Sequence, residues 1–205
     1  TPDPDLLFAK LRQFSRKSKR IIVITNAPQG RAEAKGSGSV AEGKAQTMEE
    51  AWLLNTAREA AGKHDFDLVI YPATDLRMAA GFYRQVINSM QPETDVLWLP
   101  PDEESIDIRS ILPAILQEAW DRRILVFCSN PVHVKRGALF ALYPDNFKTG
   151  QHLATLAMDA ANNGRARILP TRGVLTAVNM RTAEHLRLRE VVQKQQNFDA
   201  VYPSP

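Results

Sequence analysis

Residues 124–150 read ILVFCSNPVHVKRGALFALYPDNFKTG, and this stretch decides the fold class. The run Ile124–Cys128 is continuous and apolar, which is typical of a strand buried on both faces of a parallel sheet. A second apolar run, Ala138–Tyr143, follows a turn that we predict over residues 130–137. It leads into a helix predicted over Asn146–Asn163. Strands that end in small polar residues before a helix are where α/β proteins place ligands.

The chain before this stretch repeats the alternation of apolar strand and amphipathic helix. Three further strands are predicted at Ile21–Thr25, Phe66–Tyr71 and Asp95–Leu99. Helices are predicted over residues 5–19, 47–63, 75–90 and 105–123, whereas the Gly- and Ser-rich residues 30–46 read as a mobile loop. Because short apolar strands alternate with amphipathic helices, the pattern predicts an α/β fold with a doubly wound, flavodoxin-like parallel sheet and right-handed crossovers.

The pattern changes after Cys128, and we expect three segments. An α/β lobe covers residues 1–130. A crossover strand and helix, followed by a return to the lobe, cover residues 131–188. A polar tail, loose or bound to the surface, covers residues 189–205. In the helix after the second apolar run, the residues expected to face inward are Phe147, Leu153, Leu156, Ala157 and Ala160.

Composition and charge narrow the function classes. The chain has 205 residues, of which 44% are hydrophobic, so it is long enough to bury a substantial core. A net charge of +3 is too small and too scattered to indicate a nucleic-acid partner. The densest basic run, residues 16–20 (RKSKR), either contacts phosphates or a membrane surface or forms the solvated end of a helix. The single cysteine, Cys128, lies in an apolar strand and is expected to be buried and structural.

No catalytic set or cofactor site is recognisable in the sequence. The four histidines lack metal-ligand spacing with each other or with cysteine or acids, and His133 is expected to be exposed in the turn. The sequence has no G-x-S-x-G nucleophile elbow, and no G-x-G-x-x-G motif follows the first strand. The predicted edge at the carboxyl ends of the strands carries amides, hydroxyls and acids, which suits reversible binding better than bond-making. The candidate ligand-binding residues are Asn26, Thr74, Asp75, Asp102, Ser129, Asn130 and Asp145.

Three segments carry a resemblance to a known family. Residues 134–157 read VKRGALFALYPDNFKTGQHLATLA, residues 175–186 read LTAVNMRTAEHL, and residues 20–28 read RIIVITNAP. They resemble the substrate-binding proteins of ABC transporters with the type 1 periplasmic binding fold. The resemblance implies one lobe of a two-lobed protein, with the first lobe missing and Ser129–Gly137 as the hinge. The segment over residues 138–163 would then dock on its own sheet edge or pair with a second copy in a homodimer.

The resemblance also implies a function. The chain is expected to be a solute-binding component, or a single-lobe relative, of an ABC-type import system. It would bind a small polar or amino-acid-like solute without chemistry or cofactor and would engage a transporter permease. The expected compartment is the periplasm or cell envelope, although no leader is visible in this sequence, which starts at Thr1. The alternative is a one-lobed, dimeric envelope interaction protein that no longer captures a solute.

Overall fold

The computed structural model describes residues 1–26, 40–101, 111–163, 171–195 and 197–203. Of the loop predicted over residues 30–46, residues 30–39 lie outside these ranges, whereas residues 40–46 belong to a helix, so the prediction of a loop is wrong there. The first part of the helix predicted over residues 105–123, residues 105–110, also lies outside the described ranges. The described strands are β1 Arg20–Asn26, β2 Asp67–Ala73, β3 Asp95–Leu99, β4 Leu125–Cys128, β5 Phe140–Pro144, β6 Val174–Asn179 and β7 Ala200–Tyr202. The described helices are α1 Pro4–Phe14, α2 Val40–Lys63, α3 Leu76–Ser89, α4 Ile111–Asp121, α5 Pro131–Arg136, α6 Asn146–Asn163, α7 Met180–His185 and α8 Arg189–Gln193.

The strands form one seven-stranded sheet in the order β2-β1-β3-β4-β5-β6-β7. The first five run parallel, β6 is antiparallel to β5, and β7 is parallel to β6. The predicted α/β fold with a mostly parallel sheet is therefore confirmed. The strand order reverses between β1 and β3, because β2 lies on one side of β1 and all later strands lie on the other side.

Each face of the sheet is covered by its own hydrophobic core, because alternate strand residues point to opposite faces. One core packs the sheet against α3 and α4 and includes Ile22, Leu97 and Val126. The other packs it against α1 and the end of α2 and includes an aromatic row. In that row Trp98 and Phe127 lie with ring centroids 6.4 Å apart, and Phe127 and Phe140 with centroids 5.5 Å apart, while Phe8 meets Trp98 edge to face at 5.4 Å. Parallel strands buried on both faces explain the continuous apolar runs.

The stretch that decides the fold lies inside the sheet. The second apolar run became β5, which pairs with β4 through Phe127 and Phe140 and with β6 through five residue pairs. The strand therefore joins the sheet of its own lobe, which is one of the two arrangements predicted for it; the other was pairing with a second copy. It occupies an interior position and not an edge, because β6 and β7 lie beyond it. Its backbone is consequently closed to pairing with a second copy.

A short helix replaces the predicted turn over residues 130–137. Asn130 caps α5 by accepting a hydrogen bond from the Val132 N–H at 2.9 Å, Pro131 occupies the first turn, and Gly137 ends the helix at φ 134°. Only glycine adopts such a φ without strain. The amide of Asn179 donates to the Val134 carbonyl at 2.8 Å, so α5 is tied to the end of β6.

Helix α6 has the predicted bounds, but the prediction that its apolar residues face inward is wrong for most of them. Phe147 is 74% exposed and Leu153 is 59% exposed, and Met158 is 69% exposed. Residue Leu156 is only half-buried, and Ala157 is exposed. The side chain of Ala160 lies outside the described residues. The helix thus follows β5 with most of its described large apolar side chains exposed.

The division of the chain at residues 130 and 188 stays a prediction, and strands from all three segments share one sheet. The segment predicted as a polar tail contributes α8, with Val192 fully buried, and the strand β7, which pairs with β6. Residues 16–19 of the basic run lie in the connection from α1 to β1, and Arg20 is the first residue of β1.

Candidate functional site

The candidate site lies along the carboxyl ends of the parallel strands. Ligands in doubly wound sheets bind in the crevice where the strand order reverses, which here is the gap between the ends of β1 and β3. The end of β2 flanks this crevice on one side and the end of β4 on the other. Adjacent strands are about 4.8 Å apart, so the flanking ends are roughly 14 Å from each other.

Two of the predicted ligand-binding residues flank the crevice from the β2 side. Thr74 and Asp75 follow β2 directly, and both are exposed. The Thr74 hydroxyl lies 3.8 Å from the sulfur of Met78. Asp75 caps α3, because its Oδ1 accepts a hydrogen bond from the Met78 N–H at 2.7 Å. The carboxylate is therefore held in one place at the rim, with one oxygen engaged by the helix.

Two more predicted residues, Ser129 and Asn130, flank the crevice from the β4 side. Both are half-buried, and Asn130 is oriented by its cap on α5. Asp145 follows β5, one strand farther along. Its Oδ1 accepts from the N–H groups of Phe147 and Lys148 at 3.0 Å and 3.2 Å. Register places Ala141 opposite Cys128, so Asp145 stands about three residues, roughly 10 Å, beyond the level of Ser129.

The remaining two predicted residues cannot be placed as side chains. Asn26 ends β1 opposite Ala73 of β2, so its backbone borders the crevice. Asp102, together with the side chain of Asn26, lies outside the described residues. The five residues that the structure places, Thr74, Asp75, Ser129, Asn130 and Asp145, follow strand ends along one edge of the sheet, which we call the rim.

Two buried side chains lie behind this rim, Cys128 with a hydrogen-bond partner and His133 without one. Cys128 is fully buried, as predicted, and its thiol lies 3.3 Å from the carbonyl of Asn130; burial raises its pKa to about 12. His133 is also buried, with 5% exposure, so the prediction that it is exposed in a turn is wrong. Neither of its ring nitrogens has a hydrogen-bond partner among the described residues. Burial, followed by the nearby charge of Arg136, lowers the pKa of His133.

The described residues contain no group of three or more His, Cys, Asp or Glu side chains placed to hold a metal ion. None of the helices in the described ranges is both long and apolar enough to cross a membrane. The arrangement at the rim offers hydroxyls, an amide and carboxylates held at helix starts, which are groups that form hydrogen bonds and ion pairs with a polar solute.

Sequence comparison identifies no relatives: no protein-family model matches the chain, and neither does any curated protein. The fold does have counterparts among solved structures. A conserved domain protein from Vibrio cholerae is 17% identical, with a TM-score of 0.62 over 98% of this chain and 60% of its own. A domain from Streptococcus pneumoniae, solved in complex with L-Trp, is 14% identical, with a TM-score of 0.59 over 98% of this chain and 62% of its own. A substrate-binding protein with adhesive properties from Clostridium difficile is 20% identical, with a TM-score of 0.60 over 95% of this chain and 58% of its own.

These likenesses establish the fold. The chain has the α/β fold of a single lobe of periplasmic binding protein-like structures. It spans about three fifths of the length of the solved structures that it resembles.

Proposed function

We propose that the chain is a solute-binding component, or a single-lobe relative, of an ABC-type import system and holds a small polar or amino-acid-like solute without chemistry. The observation that carries the proposal is the crevice at the carboxyl ends of β1 and β3, flanked by polar residues that helix caps hold in place. Two structural counterparts support it, one solved with L-Trp and one described as a substrate-binding protein.

The rim groups fit such a solute. The Asp75 carboxylate supplies a negative charge at an exposed position, which would pair with an ammonium group. The hydroxyls of Thr74 and Ser129 would accept or donate hydrogen bonds on either side of the crevice. Because capping already orients Asp75 and Asn130, binding would cost little side-chain entropy at these positions.

The proposal includes an extracytoplasmic location and contact with a transporter permease. A solute held at one lobe would be enclosed by closure of a second body. The connection over Ser129–Gly137, expected to be the hinge, does not have that role, because it joins β4 to β5 within one sheet and its helix α5 is hydrogen-bonded to Asn179 at the end of β6. In this arrangement the exposed apolar residues of α6 would pack against that second body.

The exposed residues of α6 favour a second candidate function, a dimeric interaction protein of the cell envelope that no longer captures a solute. Phe147, Leu153 and Met158 are large apolar side chains that are all exposed on this one helix, and exposed apolar surface of this kind marks interaction sites. A second copy presenting the same helix would bury them in a two-fold interface. The interior position of β5 confines such a homodimer to the α6 part of residues 138–163.

Thermal unfolding in the presence of individual L-amino acids and related polar solutes tests the first proposal. A solute that binds only the folded chain raises the midpoint by an amount set by its concentration relative to Kd. Asp75→Asn keeps a good helix cap but removes the charge, and is expected to weaken an amine-bearing solute at least tenfold without lowering the midpoint of the free protein. Asp67→Asn, at the opposite end of the same strand, is the matched control and should leave affinity unchanged.

No midpoint shift with any solute would contradict the binding proposal. Sedimentation velocity then decides the second candidate. The dimeric function predicts a concentration-dependent dimer that Phe147→Ser disrupts, whereas Val132→Ser, at an exposed apolar residue of α5, leaves it intact. A monomer at all concentrations would rule out the homodimer.

A further inference from the structure

A cleft of about 910 Å³ opens at the amino-terminal edge of the sheet, opposite the candidate solute rim. The starts of β3 and β4 form its floor, with the buried side chains of Val96 and Leu125. The segment after α1 forms one wall, and the connection from α7 into α8 forms another. A volume of this size is typical of sites for small ligands.

The walls of this cleft carry a concentration of positive charge. Five basic residues of the described chain line it, from three separate segments: Arg16, Lys17, Arg123, Arg187 and Lys194. The whole protein has a net charge of only +3, so this clustering is a local feature and not a consequence of composition. Two of these residues belong to the basic run at 16–20, which the proposed solute site leaves unused.

The acids in the cleft form an ion pair with only one of these five cations. Glu93 is paired with Lys17 at 2.8 Å, and the hydrogen bond and charge of Lys17, with a smaller contribution from Arg187, lower the pKa of Glu93. Asp95 is buried and accepts two hydrogen bonds from Arg20, which does not line the cleft. Four cations, namely Arg16, Arg123, Arg187 and Lys194, make no ion pair with any residue that the structure describes.

Backbone conformation is a second, independent observation at this cleft. Arg123 and Arg187 have φ values of 57° and 59°, in the left-handed region that normally favours glycine. Each follows a helix: Ile124 N–H donates to the Ala119 carbonyl at 2.8 Å, and Leu188 N–H donates to the Ala183 carbonyl at 2.7 Å. A positive charge is favourable at a helix end, but Arg122 already supplies one after α4. Strained non-glycine residues concentrate at functional sites.

We propose that this cleft binds a small anion that carries two or more phosphate or carboxylate groups. Guanidinium groups at Arg123 and Arg187 bind such groups in pairs of parallel hydrogen bonds. Arg16 and Lys194 add one positive charge each, from the two opposite walls of the cleft. The site is independent of the solute rim, since the two lie at opposite ends of the strands.

Isothermal titration of the whole chain with tripolyphosphate and with citrate, at an ionic strength fixed with sodium chloride, tests the proposal. Saturable binding of either anion at one site per chain is expected. The stronger of the two identifies the phosphate or the carboxylate as the group recognised. The double variant Arg123→Gln/Arg187→Gln should weaken binding at least tenfold, whereas the control Arg58→Gln/Arg84→Gln, which removes the same charge from exposed positions on α2 and α3, should change it less than twofold.

A further variant separates binding from folding. Arg187→Gly relieves the left-handed strain, so it should raise the thermal midpoint while it weakens anion binding. Asp75→Asn, at the solute rim, should leave anion affinity unchanged. The proposal is overturned if neither anion binds in a saturable way at constant ionic strength, or if the control double variant loses as much affinity as the cleft double variant.

Discussion

Replacing His133 by leucine is predicted to stabilise the protein. The imidazole is 5% exposed, and neither ring nitrogen has a partner among the described residues. A buried polar group without a hydrogen bond costs about 1–3 kcal/mol, and a leucine of similar size removes that cost. We therefore expect His133→Leu to increase the free energy of unfolding by about 1–3 kcal/mol at pH 8.

The gain should grow as the pH falls. Burial lowers the pKa of His133 in the folded state, so below about pH 6.5 the unfolded chain binds a proton at this site before the folded chain does. Folding of the wild type is then opposed by up to about 1.4 kcal/mol per pH unit, and this opposition is absent above the unfolded pKa. The leucine variant lacks the group, so the difference between the two proteins reports His133 alone, since the other three histidines are shared.

Thermal and urea unfolding of both proteins at pH 8, 7, 6 and 5 measures this difference. With an unfolding entropy of about 2.1 cal/mol/K per residue, 1 kcal/mol corresponds to roughly 2 °C in the midpoint of a chain of this length. His152→Gln, at an exposed position, is the control and should change stability by less than about 0.5 kcal/mol. The reasoning is refuted if His133→Leu is no more stable than the wild type at pH 8, or if their difference is the same at pH 8 and pH 5.

Three further predictions test individual contacts and the burial of one side chain in the fold. Asp95→Ala removes the acceptor of two hydrogen bonds from Arg20 and one from the Gln91 N–H, and should cost about 2–4 kcal/mol in urea unfolding; a loss below 1 kcal/mol would contradict the role of this pair. Cys128, fully buried with a pKa raised to about 12, should react with a thiol reagent only after denaturant is added, and rapid labelling of the native protein would contradict its burial. The hydrogen bond from Lys63 makes the largest contribution to the lowered pKa of Asp5, so Lys63→Gln should raise that pKa toward its ordinary value in an NMR titration. An unchanged pKa would contradict the contact of 2.9 Å between the Lys63 ammonium group and the Asp5 carboxylate.

The strands and long helices could be predicted because their signals are local. The bounds of β3 and α6 follow directly from apolar runs and from helical periodicity. The face of α6 could not be predicted, because periodicity reports that a helix has an apolar side but not what covers it. Leu153 and Leu156 have the i, i+3 spacing of core residues, yet Leu153 is exposed and Leu156 is only half-buried.

Helix α5 was missed although the sequence contains its boundaries. Asn130 before Pro131 is a common helix start, and Gly137 is a common stop. The six residues between them are too few to show a helical period, so a turn is equally compatible with the sequence. The burial of His133 has no local signal at all, because it depends on how α5 packs after β4 and β5 have paired.

The ends of the predicted strands indicate where the candidate rim lies. They do not show how its carboxylates are oriented, because that depends on the helices that the carboxylates cap. Asp75 and Asp145 each use one carboxylate oxygen to accept backbone N–H groups. The second oxygen of Asp75 leaves room for contact with a solute, and the cap fixes the direction in which that oxygen is offered, whereas the second oxygen of Asp145 lies 3.6 Å from the Lys148 ammonium group. Removing the side chain would therefore weaken a helix start by about 1 kcal/mol and a solute contact at once. Exchange for asparagine separates these effects, since it preserves the cap and removes only the charge that a solute would need.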